Sequence, residues 1–291
     1  MRMKSLLLHC AWMVTIGLAF CVQAAPHGPP VEASMLIAGT IVIAPDGSVR
    51  SHLIDRPEKL PSAIQEVVDE AIASWKFDPI VIDGKPVLAR TTVNLRLVVD
   101  PVDHGSYAIR IGGVSFSGGD PRADPQPNAS ANRRYSPTYP SGALRAFAGG
   151  TVYLLLKLGR EGRVLDAAAE QVNLTVWDSP EKMAKLREDF ANAALVAVKR
   201  WTFIPPTVGP SVDEPYWYAR MPVTFDVSPY RRTASEADEY GHWQPYVRGP
   251  RELVAWFDLP QLAADSVDTT PGGSVLALGK GPKLTNTQPG G

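Results

Sequence analysis

The sequence predicts an α+β protein made of two tandem β-β-α-β units, each a helix laid on one face of an antiparallel sheet. Three observations carry this. The stretches "AIASWKFDPI" (71–80) and "AVKRWTFIPP" (197–206) repeat one junction, small and apolar residues running into Trp-x-Phe-x-Pro. A glycine turn between two strand-like runs precedes each junction, at Asp46-Gly47 and at Glu161-Gly162. A period-two apolar run follows each one. A supersecondary unit written twice has this signature.

The chain opens with Arg2 and Lys4, an apolar run from Leu6 to Cys21, and the small-residue cleavage pattern Val22-Gln23-Ala24. Residues 1–24 are therefore expected to be a secretory signal peptide. The alternative is an uncleaved N-terminal anchor, because residues 5–25 approach the roughly 20 residues a spanning helix needs. Both cysteines, Cys10 and Cys21, lie in this segment. A cleaved chain has no disulfide and no cysteine-based metal site.

Unit one is expected over 34–100. "MLIAGTIVIAPDGSVRSHLI" reads as two strands around an Asp-Gly hairpin turn. Ile64, Val67, Val68, Ala71, Ile72 and Trp75 then recur at helical spacing. Ser62 with Gln65 three residues later has the capping-box pattern, just after Pro61. In "VLARTTVNLRLVV" the apolar positions from Val87 to Val99 take one face, and Arg90, Thr92, Asn94 and Arg96 take the other. Such alternation marks a sheet with one face on a core.

Residues 101–134 carry five Gly and four Pro and are expected to be a linker. Unit two is expected over 135–228, with "GTVYLLLKLGREGRVLDAAA" as its hairpin. Ser179 is placed to cap the next helix, with Pro180 at its first position. Met183, Leu186, Phe190, Ala194, Ala197 and Trp201 form its apolar stripe. Turn and Trp lie 39 residues apart here against 28 in unit one, which predicts a longer helix. "YWYARMPVTFDV" closes the unit, with Trp217, Ala219, Met221, Val223, Phe225 and Val227 on the apolar face. Residues 229–268 are an extension whose Trp243, Tyr246, Trp256 and Phe257 are expected to fold back on a domain. The tail 269–291 is expected to be disordered.

Both junctions have one physical sense. The Trp ends the core stripe of the helix, the Phe starts the return to the sheet, and the Pro stops the helix and holds its predecessor extended.

The chemistry is sparse. A hydrophobic content of 45% supports ordinary packed cores, and a net charge of -1 gives no basic field for nucleic acid. There is no HExxH, GxSxG, P-loop or SxxK pattern. "GGVSFSGG" (112–119) lacks the Lys and following helix of a phosphate loop and reads as linker or extra strand. His104 and His242 have no zinc spacing. His52 falls on the solvated face of a strand, and Asp178 and Glu181 suit a helix start. The chain is thus expected not to be an enzyme, with no catalytic residue, cofactor or metal.

These motifs together resemble the TonB C-terminal domain family. Unit two carries its pattern nearly whole: Tyr139-Pro140 with Ala143, Gly150-Thr151-Val152, Gly162, Val164, Trp201, Phe203 and Pro205. Unit one carries Gly47, Val49, Trp75, Phe77, Pro79 and Gly84 without the Tyr-Pro opening. The resemblance implies a periplasmic, non-enzymatic module that grips an extended segment of a protein or peptide partner, an outer-membrane transporter among them. The grip is strand addition to an open sheet edge. Pro222 inside the last strand marks that strand as an edge. Tyr216, Tyr218, Arg220, Pro222, Val223 and Thr224 are the candidate partner-binding residues; the alternative is that residues 240–257 shield them.

Full transducers of the family also carry Ser-x-x-x-His in an anchor helix that couples to an inner-membrane motor. Ser5 and His9 have that spacing, which chance also supplies. About nine residues (25–33) precede the first strand, a reach of roughly 30 Å. That is short for crossing the envelope, and a soluble adaptor or scaffold without energy transduction is the alternative.

Overall fold

The computed structural model describes residues 32–101, 107–118, 131–133, 135–205, 212–227, 240–257, 266–279 and 281–286. Ser5, His9 and the rest of 1–24 lie outside the described residues. Strand β1 (Glu32–Ile43) turns at Asp46-Gly47 into β2 (Val49–Ile54), and helix α1 (Ser62–Ser74) follows. A small hairpin, β3 (Val81–Ile82) and β4 (Lys85–Pro86), leads to β5 (Ala89–Pro101) and β6 (Tyr107–Gly118). β5 runs antiparallel beside β1, with β2 on the far side of β1 and β6 on the far side of β5.

A second sheet follows. After β7 (Ala131–Arg133) and the short helix α2 (Ser141–Arg145) come β8 (Gly150–Gly159), β9 (Val164–Leu174), α3 (Pro180–Val198), β10 (Thr202–Phe203) and β11 (Tyr216–Phe225). β8 sits between β9 and β11, as β1 sits between β2 and β5. Two strands from the C-terminal region complete the sheets: β12 (Gln244–Tyr246) pairs with β1, and β13 (Leu276–Ala277) pairs with β11. The protein is therefore mixed α+β with open antiparallel sheets.

Each helix buries its stripe on one sheet. Ile64, Val68 and Ile72 of α1 join Ile37, Ile41, Val93 and Leu95 in one core. Met183, Leu186, Phe190 and Ala194 of α3 join Val152, Leu154, Met221 and Val223 in the other. Burying an aliphatic side chain of this size contributes about 1.5–3 kcal/mol. The longer helix absorbs part of the insertion, with 19 residues against 13, and the longer strand β9 the rest, with 11 residues against 6 in β2. Ser179 caps it, its hydroxyl accepting the Lys182 N–H at 3.4 Å, with Pro180 at the first position.

The repeated junction closes the same way twice. Gly47 and Gly162 adopt φ values of +79° and +71°, a left-handed backbone that favours glycine. A Cβ on either would stand 2.0 Å or 1.9 Å from the carbonyl oxygen of Phe77 or Phe203. The Phe77 N–H donates to the Gly47 carbonyl at 2.9 Å, and the Phe203 N–H to the Gly162 carbonyl at 2.8 Å. The Phe of Trp-x-Phe-x-Pro thus ties the end of each helix to the turn of its hairpin.

Four expectations are corrected. The Ser62–Gln65 capping box does not form: Pro61 holds the cap position, and the Gln65 amide donates to the Pro57 and Leu60 carbonyls at 2.9 Å each. Residues 107–118, within the expected linker, are the strand β6. Its glycines serve close packing: a Cβ on Gly112 would meet Val98, and one on Gly113 would meet Ser266. The second face of β5 is not simply solvated, because Asn94 and Arg96 are buried. Disorder from residue 269 onward does not hold for 269–279 and 281–286. Thr269, Thr270, Val275, Leu276 and Leu278 are buried there, which local composition cannot reveal. Residues 287–291 lie outside the described residues.

Candidate functional site

A cleft of about 1050 Å³ opens between the two sheets. One wall is the hairpin edge of the first sheet: Leu36, Ile37 and Ala38 of β1, Leu53 and Ile54 of β2, and the turn after it. The other wall is the free side of β11, with Met221, Pro222, Val223 and Thr224, together with Thr151, Tyr153 and Trp201. Tyr246 and residues 270–273 also line it.

Both walls present strand edge. On the side away from β5, β1 pairs with β12 over residues 32–34 and with β2 over 39–43, and the Ala38 carbonyl accepts the Asp55 N–H at 2.9 Å and the Tyr240 hydroxyl at 3.3 Å, so 35–37 have no strand partner there among the described residues. Among the described residues, the C-terminal region covers the outer edge of β11 at Tyr218, Ala219 and Arg220. Beyond that point its outer edge faces the cleft. The Leu278 N–H donates to the Tyr218 carbonyl at 2.9 Å, so even-numbered residues of β11 direct their main-chain groups outward. Pro222 is one of these, and its missing N–H lies on the side where no ladder bond is lost. The outward donor that remains is the N–H of Thr224, whose side chain is exposed.

A buried polar cluster holds the two sheets and the C-terminal region together beside this cleft. Arg96 of β5 donates through Nη1 to Ser34 Oγ at 2.8 Å, through Nη2 to Tyr153 Oη at 3.1 Å, and through Nε to the main-chain oxygen of Asp268 at 2.7 Å. Its guanidinium also lies over the Tyr246 ring, 5.1 Å from the centroid. The Asp268 carboxylate accepts from Tyr246 Oη, from Asn173 Nδ2 at 3.2 Å and from Gln171 Nε2 at 3.4 Å, with Arg248 Nε at 3.5 Å. Burial pushes this carboxyl up, but Arg96, Arg248 and the hydrogen bonds outweigh it and hold the carboxyl below its ordinary value. Burial also pushes the Tyr153 phenol up to about 12.

The six predicted edge residues separate into two groups. Pro222, Val223 and Thr224 line the cleft. Tyr216, Tyr218 and Arg220 do not. Arg220 is fully buried and donates to Glu170 at 2.8 and 3.0 Å, and Arg251 shares that carboxylate at 2.6 Å. Tyr218 stacks on Trp256 with centroids 6.0 Å apart and meets Phe257 edge-on at 5.0 Å. Lys157 lies 4.0 Å above the Tyr216 ring.

The motif residues are mainly structural. Tyr139 donates to the Ala148 carbonyl at 2.6 Å and packs edge-on against Phe190 and Phe225, while Pro140 caps α2. Trp75, Phe77 and Phe203 are buried, Pro79 is exposed and Pro205 is half-buried. Gly162 makes its turn, and Trp201, which touches the cleft, donates to the Tyr135 carbonyl at 2.8 Å.

Sequence reasoning missed Leu36 and Ala38, Arg96, Tyr153 and Asp268. One signal was available: "VYLLL" in β8 is apolar without alternation, as in a strand covered on both faces. Among the described residues no three His, Cys, Asp or Glu side chains gather into a metal site, and no helix is long and apolar enough to cross a membrane. No protein-family profile, curated protein or solved structure matches the chain.

Proposed function

We propose that this is a periplasmic binding protein built from two tandem TonB-C-like units, which takes an extended segment of a protein partner by strand addition in the cleft. One observation carries the reading: the stretches of β1 (36–37) and of β11 (221–224) that have no outer strand partner among the described residues open on the same space. An extended chain there can exchange main-chain hydrogen bonds with a sheet edge, while Leu53 and Tyr135 offer apolar contact to its side chains. The matching strand order of the two sheets and the twice-built Gly–Phe closure support the duplication. The N-terminal segment and the family resemblance support the periplasm. They also support an outer-membrane transporter as a partner and, if the anchor is retained, coupling through Ser5 and His9. The short stretch before β1 favours the soluble adaptor over a transducer that must span the envelope.

The test is a single backbone change. Peptides selected from a random library on the wild-type protein are measured against Thr224→Pro. This removes the outward N–H of β11 and leaves its bonds to β8. Binding is expected to be lost with helix content by circular dichroism unchanged. Binding that survives Thr224→Pro places the site elsewhere.

A further inference from the structure

The chain's own C-terminal region already adds strands to these edges. In β13, Leu276 pairs with Arg220 and Ala277 with Ala219, and the Leu278 N–H bonds to Tyr218. Leu276 and Leu278 are 4% and 5% exposed and form a small core with Leu155, against which Tyr218, Trp256 and Phe257 pack. Residues 283–286 do the same at the other sheet. The Lys283 carbonyl accepts the Asp78 N–H at 2.9 Å, the Thr285 N–H donates to Lys76 at 2.8 Å, and Leu284 pairs with Phe77.

Resting on the strand-addition reading, we propose that the outer edge of β11 and the seats of Leu276 and Leu278 form a groove for a partner segment with leucine-sized side chains at i and i+2, and that residues 276–278 are its built-in occupant, displaced on binding. The internal occupant is weak by construction. It reaches only Tyr218, Ala219 and Arg220 of β11 among the described residues, whereas an incoming strand that runs on past Arg220 also pairs along 222–224, where the cleft is open. The apolar-x-apolar spacing follows from the pleat, which puts alternate side chains on one face. Asp268, buried and anchored to both sheets, keeps the displaced strand close enough to return. Partner binding and the internal strand are therefore competitors.

The experiment uses the full chain and a fluorescein-labelled peptide carrying residues 274–286. Two variants bracket the wild type. Leu276→Asp with Leu278→Asp unseats the internal strand. Ala219→Cys with Ala277→Cys, made with Cys10→Ser and Cys21→Ser, clamps it by a cross-strand disulfide. These two residues face each other at a position between ladder bonds, where opposed side chains come closest and a disulfide fits. The unseated variant is expected to bind the peptide about tenfold or more tighter than wild type, because the groove no longer has to open first. The oxidised clamp is expected not to bind, and reduction to restore wild-type binding. Equal binding to oxidised and reduced clamp overturns the proposal, as does no gain in an unseated variant of unchanged helix content. If that variant fails to fold, the clamp decides alone. A wild-type chain that dimerises by exchanging 276–278 also overturns it, making a second copy the occupant. None of these outcomes touches the Thr224→Pro test, so the two readings fail separately.

Discussion

Arg96 and Asp268 meet across 172 positions of chain, Nε of the guanidinium donating to the main-chain oxygen of the aspartate at 2.7 Å with the carboxylate 3.9 Å away. Arg96 belongs to the first sheet, and its Nη2 reaches Tyr153 of the second. Asn173 and Gln171 of the second sheet hold the carboxylate. The pair therefore joins three parts of the molecule at a largely buried point on the wall of the cleft.

Removing Arg96 leaves the buried carboxylate, among the described residues, with only the partly exposed Arg248 as its cationic neighbour. Arg96→Met is expected to cost about 3–5 kcal/mol in urea unfolding. The double variant Arg96→Met with Asp268→Leu is expected to recover part of that loss, because neither charge then remains buried. A double variant no more stable than Arg96→Met would mean that the pair is not the source of the cost.

The Asp268 carboxyl sets an acid dependence. Its folded value lies below the ordinary 3.8. The stability it contributes is present above 3.8 and is lost as pH falls through the lower folded value. Hydrogen exchange of residues 266–279 is expected to accelerate as pH is lowered through this window, after correction for intrinsic rates. Asp268→Asn is expected to exchange faster at neutral pH and to lose this dependence.

Buried tyrosines set the alkaline limit. Burial pushes Tyr153 and Tyr240 each up to about 12 from 10.0. With folded values raised, their contribution is fully present below 10.0 and is lost as pH rises through about 12. Phenolate absorbance is expected to show a late-titrating group that Tyr153→Phe diminishes. A titration unchanged by Tyr153→Phe would count against its burial.

The glycine turns carry the junctions. Gly162→Ala must hold a left-handed backbone, which costs about 1–2 kcal/mol, and its Cβ collides with the Phe203 carbonyl. The urea midpoint is expected to fall with the slope unchanged. Gly84→Ala, which has positive φ but open space, is expected to cost less.

Local patterns were legible in the sequence where neighbours decide the outcome. The α3 stripe, its Ser179 cap and the Gly-turn hairpins follow from residues three to four apart or directly adjacent. The cleft was legible only in part: Pro222 pointed to an edge, because a missing N–H is a local fact. Arg220 was misplaced because it stands on the polar-looking face of β11, and only distant groups, the carboxylate of Glu170 50 positions away together with Trp256, Phe257, Leu276 and Leu278, show that this face is covered.

By itself, then, the sequence determined the two glycine-turn hairpins, the helices α1 and α3, the strands β5 and β11 and their order, since period, turn chemistry and caps act over a few residues. The tertiary structure alone decided that glycine-rich 107–118 is a strand, that residues 266–279 and 281–286 pack against the sheets, and which stretches of β1 and β11 stay open. Those outcomes depend on what packs opposite each residue. Main-chain hydrogen bonds between segments far apart in the chain leave no periodic trace in either partner.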